Sequence, residues 1–210
     1  GFQNKTAANI TKSTTAIAAA KINQGSNNNI IYATKLSVAN EPVSVNNIQF
    51  TLNGTLNASD LALISIYYNA TAPTISGSSL LNNAAANFAS GHTYNIPFGN
   101  PMAISTSGYY IIAVNVNAAA TDNHTIKIDG AAIPVVFGFI TSPNIINNQS
   151  DVAGVQTIQA ADITESTSAI AAANINQGSN NNIIYATKLS VATEPVSVNN
   201  IQFTLNGTLN

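Results

Sequence analysis

The chain has 210 residues, six Lys and Arg against eight Asp and Glu, and a formal net charge of −2. Charged residues make up only 7% of it, against roughly 25% in an average soluble protein, which leaves no basic footprint for nucleic acid and no polybasic stretch for an anionic membrane. It has no cysteine, which excludes a disulfide framework, thiolate chemistry and cysteine–zinc sites, and no apolar run approaches the ~20 residues that cross a bilayer as a helix.

Read in chain order, Thr14–Ile22 is alanine-rich, but its β-branched Thr14, Thr15 and Ile17 favour a first strand over a helix. Residues 30–38 alternate, with Ile30, Tyr32, Leu36 and Val38 on one face and Ala33, Lys35 and Ser37 on the other. After Glu41-Pro42 the period of two resumes, with Ile48, Phe50 and Leu52 inward, until Asn53-Gly54 marks a turn that needs a positive φ. Leu61–Tyr68 is the next strand. A looser stretch punctuated by Pro73, Gly77, Gly91, Pro97 and Gly99 holds short strands near 85–89 and 93–97. Tyr109–Asn117 reads as the central strand, with Tyr110, Ile112, Val114 and Val116 inward. Thr125–Asp129 alternates again, and Ile133–Thr141, carrying Pro134, reads as an edge or closing strand. Residues 144–157 are polar and read as a joint. The sum is all-β: an antiparallel, immunoglobulin-like β-sandwich. With so few charges, apolar burial and backbone ladders hold such a fold, so its stability should respond little to salt or to pH between about 5 and 9. A core truncation such as Ile112→Ala should cost about 2–5 kcal/mol.

The chain also repeats itself. Ser13–Asn57 and Ser166–Asn210 align without a gap, differing only at Thr15/Ser168, Lys21/Asn174 and Asn40/Thr193, and Ser13 to Ser166 is an offset of 153 residues. Residues 1–153 therefore form one repeat, large enough for a core of its own, and 154–210 open a second that lacks any counterpart of Tyr109–Asn117. Ile183, Tyr185, Leu189, Ile201 and Phe203 repeat the inward face of the first copy without the strands that would cover it. They are the candidate self-association interface, because bare strand edges and an open apolar face need a neighbour's complementary strands. Tandem copies build length and valency.

The stretches VSVNNIQFTLNGTLNASDLALISIYYN and FASGHTYNIPFGNPMAISTSGYYIIAVNVNAAATDNHTIKIDG resemble the N-terminal β-sandwich module attached to bacterial BNR-repeat neuraminidases, and related tandem modules of large bacterial surface proteins. The shared pattern is F-T-x-x-G-T at Phe50–Thr55, an Asp-led strand at Asp60–Tyr68, a G-x-x-Y strand at Gly108–Val116, and Ala119–Ile126. It departs at Tyr109-Tyr110-Ile111-Ile112, where the family has an aromatic strand containing Trp. The resemblance implies an accessory or spacer module without catalytic machinery.

Residue by residue, no enzyme emerges. Glu41, Asp60, Asp122, Asp129 and Asp151 are the carboxylates of the first repeat, and Asp122 and Asp129 sit beside turn residues. Glu41 and its copy Glu194 each precede a proline at a turn. Asp151 and Asp162, with Asn144, Asn147 and Asn148, offer oxygen donors at the joint, but no D-x-D-x-D-G loop accompanies them. His92 and His124 are not paired at metal-ligand spacing. The chain has eight N-x-S/T triplets, where Asn, Ser and Thr at these frequencies give roughly six by chance, so their number is no sign of glycosylation. Tyr67, Tyr68, Tyr94, Tyr109 and Tyr110 divide between core and surface, and an outward set would offer a platform for sugar stacking. The expectation is an exported structural repeat of an extracellular fibre or adhesin, with its own copies as partners and surface glycans as a further class. The expectation includes no cofactor and no metal. The rival reading is a carbohydrate-binding accessory module of a secreted glycosidase.

Overall fold

Branched apolar side chains alternating with Thr, Asn and Ser suit a pleated, half-buried surface. In the computed structural model, which describes residues 6–85, 87–128, 133–148, 153–192 and 196–207, every regular element is a strand. The strands are β1 (Asn9–Thr15), β2 (Ala20–Asn23), β3 (Asn29–Ala39), β4 (Val43–Gly54), β5 (Leu61–Asn69), β6 (Ser79–Ala85), β7 (Thr93–Ile104), β8 (Ser107–Val116), β9 (Thr125–Ile128), β10 (Val135–Phe139), β11 (Asn144–Asn148), β12 (Gln156–Gln159), β13 (Asp162–Ser168) and β14 (Ala186–Ala192). Two units divide the chain, Gly1–Gln159 and Ala160–Asn210.

In the first unit, one sheet has the order β11-β1-β3-β8-β5-β6. The other runs β10-β4-β9-β12-β2, with β7 also paired to β4. Strand β8 lies inside the first sheet, and its Tyr110, Ile112 and Val114 are fully buried. The Tyr110 ring stacks on Phe98 of β7 at 5.9 Å and meets Phe137 of β10 at 4.9 Å, so the two sheets close on a shared core like a sandwich. The Tyr110 hydroxyl is buried with no hydrogen-bond partner among the described residues, and burial pushes its ionisation far upward. Tyr110→Phe should therefore leave stability unchanged or raise it by up to about 1 kcal/mol, because only an unpaired polar group is lost. Urea denaturation checks this, and a loss of stability would contradict it.

Local departures from strict alternation have identifiable causes. A bulge between Ile30 and Tyr32 shifts the β3 register and leaves Ile30 only partly buried, while Ile31 through Thr34 are buried on both faces, as are Ile111 through Val114 of the neighbouring β8. Gly54 has φ +119°, and a side chain there would collide with the Thr125 backbone, which accounts for glycine at this turn. The strand expected near 85–89 lies earlier, at β6, while Phe88 turns into the core against Tyr94 and the Ala89 N–H donates to the Tyr94 hydroxyl at 2.8 Å.

Two larger differences concern the ends of the unit. The sheets are mixed, not purely antiparallel: β1 pairs with β11, and β2 with β12, in parallel. The stretch expected as a polar joint supplies β11 and β12, and the compact unit runs to Gln159 instead of stopping at 153. Ile158 is fully buried in the core, and Gln156 donates its side-chain amide to the Ala18 carbonyl at 2.9 Å. A side chain at Gly154 would strike the backbone of Ala18 and Ala19, so the close approach of the two segments needs glycine.

In the second unit, β13 and β14 pair antiparallel from Asp162↔Ala192 to Ser168↔Ala186. This reproduces the β1–β3 register, Asn9↔Ala39 to Thr15↔Ala33, residue for residue at the 153-residue offset.

Candidate functional site

The second unit shows what the inward face of this sequence looks like when it is uncovered. In the first unit Tyr32, Leu36 and Ile48 are 0% exposed and Phe50 is 2% exposed. Their copies 153 residues later are open: Tyr185 59%, Leu189 41%, Ile201 73% and Phe203 70%, with Ile183 at 70%. The residue types and close neighbours are the same, so the difference lies in their partners. In the first unit β3 pairs with β1 on one edge and β8 on the other, and β4 pairs with β7, β9 and β10. In the second unit β14 pairs only with β13 among the described residues, and residues 196–207 form no strand. A shallow depression of about 620 Å³ is lined by Tyr185, Ile201, Phe203 and Leu205 with Glu165 and Thr187. All five candidate interface residues are thus copies of β3 or β4 residues: four are copies of core residues, and Ile183 is the copy of Ile30, the partly buried bulge residue of β3.

The polar constellation of the first unit is a buried carboxylate that ties loops together. Asp60, fully buried ahead of β5, accepts the Thr121 N–H at 2.8 Å, the Asn57 N–H at 2.7 Å and the His124 Nδ1 at 2.7 Å. Burial by itself would raise its pKa; the backbone donors from Thr121 and Asn57, with His124 and the Thr121 side chain, outweigh it and hold the carboxyl below its ordinary value. The sequence offered no sign of this pair, because Asp60 and His124 lie 64 residues apart. A depressed folded-state pKa stabilises above the unfolded value of about 3.9 and is lost as pH falls through the folded value. Asp60→Asn should thus cost about 2–4 kcal/mol at pH 7 and progressively less in acid below about pH 4. Parallel urea titrations of the two proteins at pH 3 and pH 7 check this, and an equal cost at both would contradict it.

The remaining candidates do not converge. Asp122 accepts the Asn123 side-chain amide at 2.8 Å, while Asp129, Asp151 and Glu194 lie outside the described residues. Glu41 lines an open depression with Ala7, Pro42 and Pro143, and Asn144 donates to the Asn9 side chain from within β11. Among the described residues no three His, Cys, Asp or Glu side chains come together as a metal site. Tyr68 and Tyr110 point into the core with rings 5.4 Å apart. Tyr67 and Tyr109 lie on the opposite face of the same sheet, where Tyr67 donates to Asn28 at 2.9 Å and Lys35 lies 5.6 Å from the Tyr109 ring. No helix among the described residues is long and apolar enough to cross a membrane.

No family model matches the chain, and no curated protein matches it. Among solved structures it is similar to a chain in a crystal structure of a CaDoc0917–CaCohA2 complex at pH 5.5, at 16% identity over 71% of this chain and 99% of that one, with a TM-score of 0.34. A similarity at that level carries no functional argument.

Proposed function

We propose that the chain is a structural repeat module of an exported extracellular fibre or adhesin that acts by self-association and length. One observation carries the reading: the same residues form a closed core in the first copy and an open apolar face in the second. An exposed set of this kind is unstable in water and is covered by strands equivalent to those that cover it in the first unit. Another copy supplies these, by strand complementation or as the next stretch of a continuous array. The charge-poor, Asn- and Thr-rich composition fits a secreted array. Sedimentation equilibrium tests the proposal. The 210-residue chain should associate with rising concentration, and Ile201→Asp with Phe203→Asp should lower that association at least about tenfold, since burying two carboxylates in an apolar contact is strongly unfavourable. A chain that stays monomeric at every concentration would overturn it.

The rival reading, a carbohydrate-binding accessory module like those suggested by the neuraminidase resemblance, draws on the outward pair Tyr67 and Tyr109 beside Lys35. Binding on a glycan array that Tyr67→Ala and Tyr109→Ala abolish would favour it.

A further inference from the structure

The first unit ends where it begins, in the sense that its first and last segments run side by side in the same direction. Asn9 to Ser13 pair in parallel with Asn144 to Asn148, Ile17 bridges Ala153, and Ala20 to Asn23 pair in parallel with Gln156 to Gln159. The offset is 135 residues in the first stretch and 136 in the other two, so the three pairings share one direction and nearly one register, the first in one sheet and the last in the other. Bonds beyond the strands extend it at both ends: the Asn144 N–H donates to the Ala8 carbonyl at 2.8 Å, and the Gln24 N–H to the Gln159 carbonyl at 3.0 Å. Between them the Gly154 N–H donates to the Ile17 carbonyl at 2.6 Å, and side chains lock the far end through Gln156 to Ala18 and Gln159 to Asn23.

The polarity of this ladder decides how it meets tension. The chain enters at the Asn9 end of one segment and leaves at the Gln159 end of the other, which are opposite ends of a parallel pair. Pulling the unit by its two chain ends slides the segments along each other, so the bonds are loaded together and must fail together. An antiparallel terminal pair would present both ends on the same side and peel open one bond at a time.

We infer that the parallel pairings of β1 with β11, Ile17 with Ala153 and β2 with β12 together are a shear clamp, and that the module's further function is to bear tension along the chain. Only Ala160 and Ala161 separate Gln159 from β13, so load arriving from a following copy enters β12 almost directly. The role in a fibre rests on the tandem-array reading, whereas the clamp itself is a property of one unit.

Single-molecule pulling on the full chain tests it, and the absence of native cysteine allows handles at chosen sites. With Ala7→Cys and Ala161→Cys the first unit should unfold in one step at a force several-fold higher than with Ala7→Cys and Ser142→Cys, where both handles sit at one end of the ladder. Forced unfolding reports the unfolding rate, so a second comparison separates clamp from overall stability. Thr157→Pro, which removes a ladder donor, should lower the force in the end-to-end geometry. Ile112→Ala, buried in β8 away from the ladder, should lower the urea midpoint with a much smaller change in force. Equal forces in the two geometries, or an equal drop for both substitutions, would overturn the clamp. If Thr157→Pro does not fold, the two-geometry comparison decides alone. Neither outcome bears on self-association, which sedimentation of the same chain reads separately.

Discussion

A chain ended at residue 153, where the sequence period closes, should melt about 10–20 °C below one ended at Gln159, taking about 2–4 °C per kcal/mol for a domain of this size. The six residues between them contain β12, which lies between β9 and β2 in the second sheet. Removing it uncovers the core at the fully buried Ile158, a loss of about 1.5–3 kcal/mol. It also strips β2 of its parallel partner and β9 of the Gln156↔Ile126 pairing. The Ala18 carbonyl loses the Gln156 amide as well, and each net hydrogen bond contributes about 1 kcal/mol. Together these come to about 4–6 kcal/mol, a large fraction of the stability of an ordinary domain. Differential scanning calorimetry of the two chains reads the difference directly. Equal melting temperatures would mean that β12 contributes nothing to the first unit.

Ile48→Ala and its copy Ile201→Ala should differ by about 2–5 kcal/mol in their effect on the stability of the first unit, although both sit in the same seventeen-residue sequence, Glu41–Asn57 and Glu194–Asn210. Ile48 is 0% exposed in β4, between β7 on one edge and β10 on the other. Truncating it removes transfer free energy and leaves a cavity, with a cost of about 2–5 kcal/mol. Ile201 is 73% exposed, and the same truncation there should move the melting of the first unit by less than about 0.5 kcal/mol. Urea denaturation at concentrations where the chain is monomeric isolates this effect from association. Equal costs at the two positions would mean that the second copy of this stretch takes part in the stability of the first unit.

The tension reading and the self-association reading meet at β12. Residues 154–159, which hold β12, are the counterparts of residues 1–6 at the 153-residue offset, so in an array the opening residues of each repeat would serve as the closing strand of the repeat before. Gly154 stands where the two segments approach too closely for a side chain, and its counterpart in the sequence is Gly1.

Because the chain carries nearly the same stretch twice, it separates what local sequence determines from what the rest of the fold decides. Both copies make the same turns: Gly25 and Asn28 have φ 73° and 59°, and Gly178 and Asn181 have φ 81° and 62°. Both also pair their opening strand with the next long one in the same register. Turn chemistry and hydrophobic alternation act over a few residues, so they recur wherever the sequence recurs. The all-β class, the position of Gly54 and the inward set of β8 were readable for the same reason. Strand extent was not. Strand β3 covers Asn29–Ala39 because β8 supports its first residues, whereas β14 shrinks to Ala186–Ala192, the part that β13 reaches. The copy of β4 forms no strand at all, since the partners of β4 come from residues 93–139, which this sequence holds once. The membership of β12, the Asp60–His124 pair and the parallel ladder likewise depend on residues 64 to 136 positions apart. A strand's ladder bonds and its buried face both belong to the contact with its neighbour, so only the tertiary structure could decide which copies of this sequence became core and which became surface.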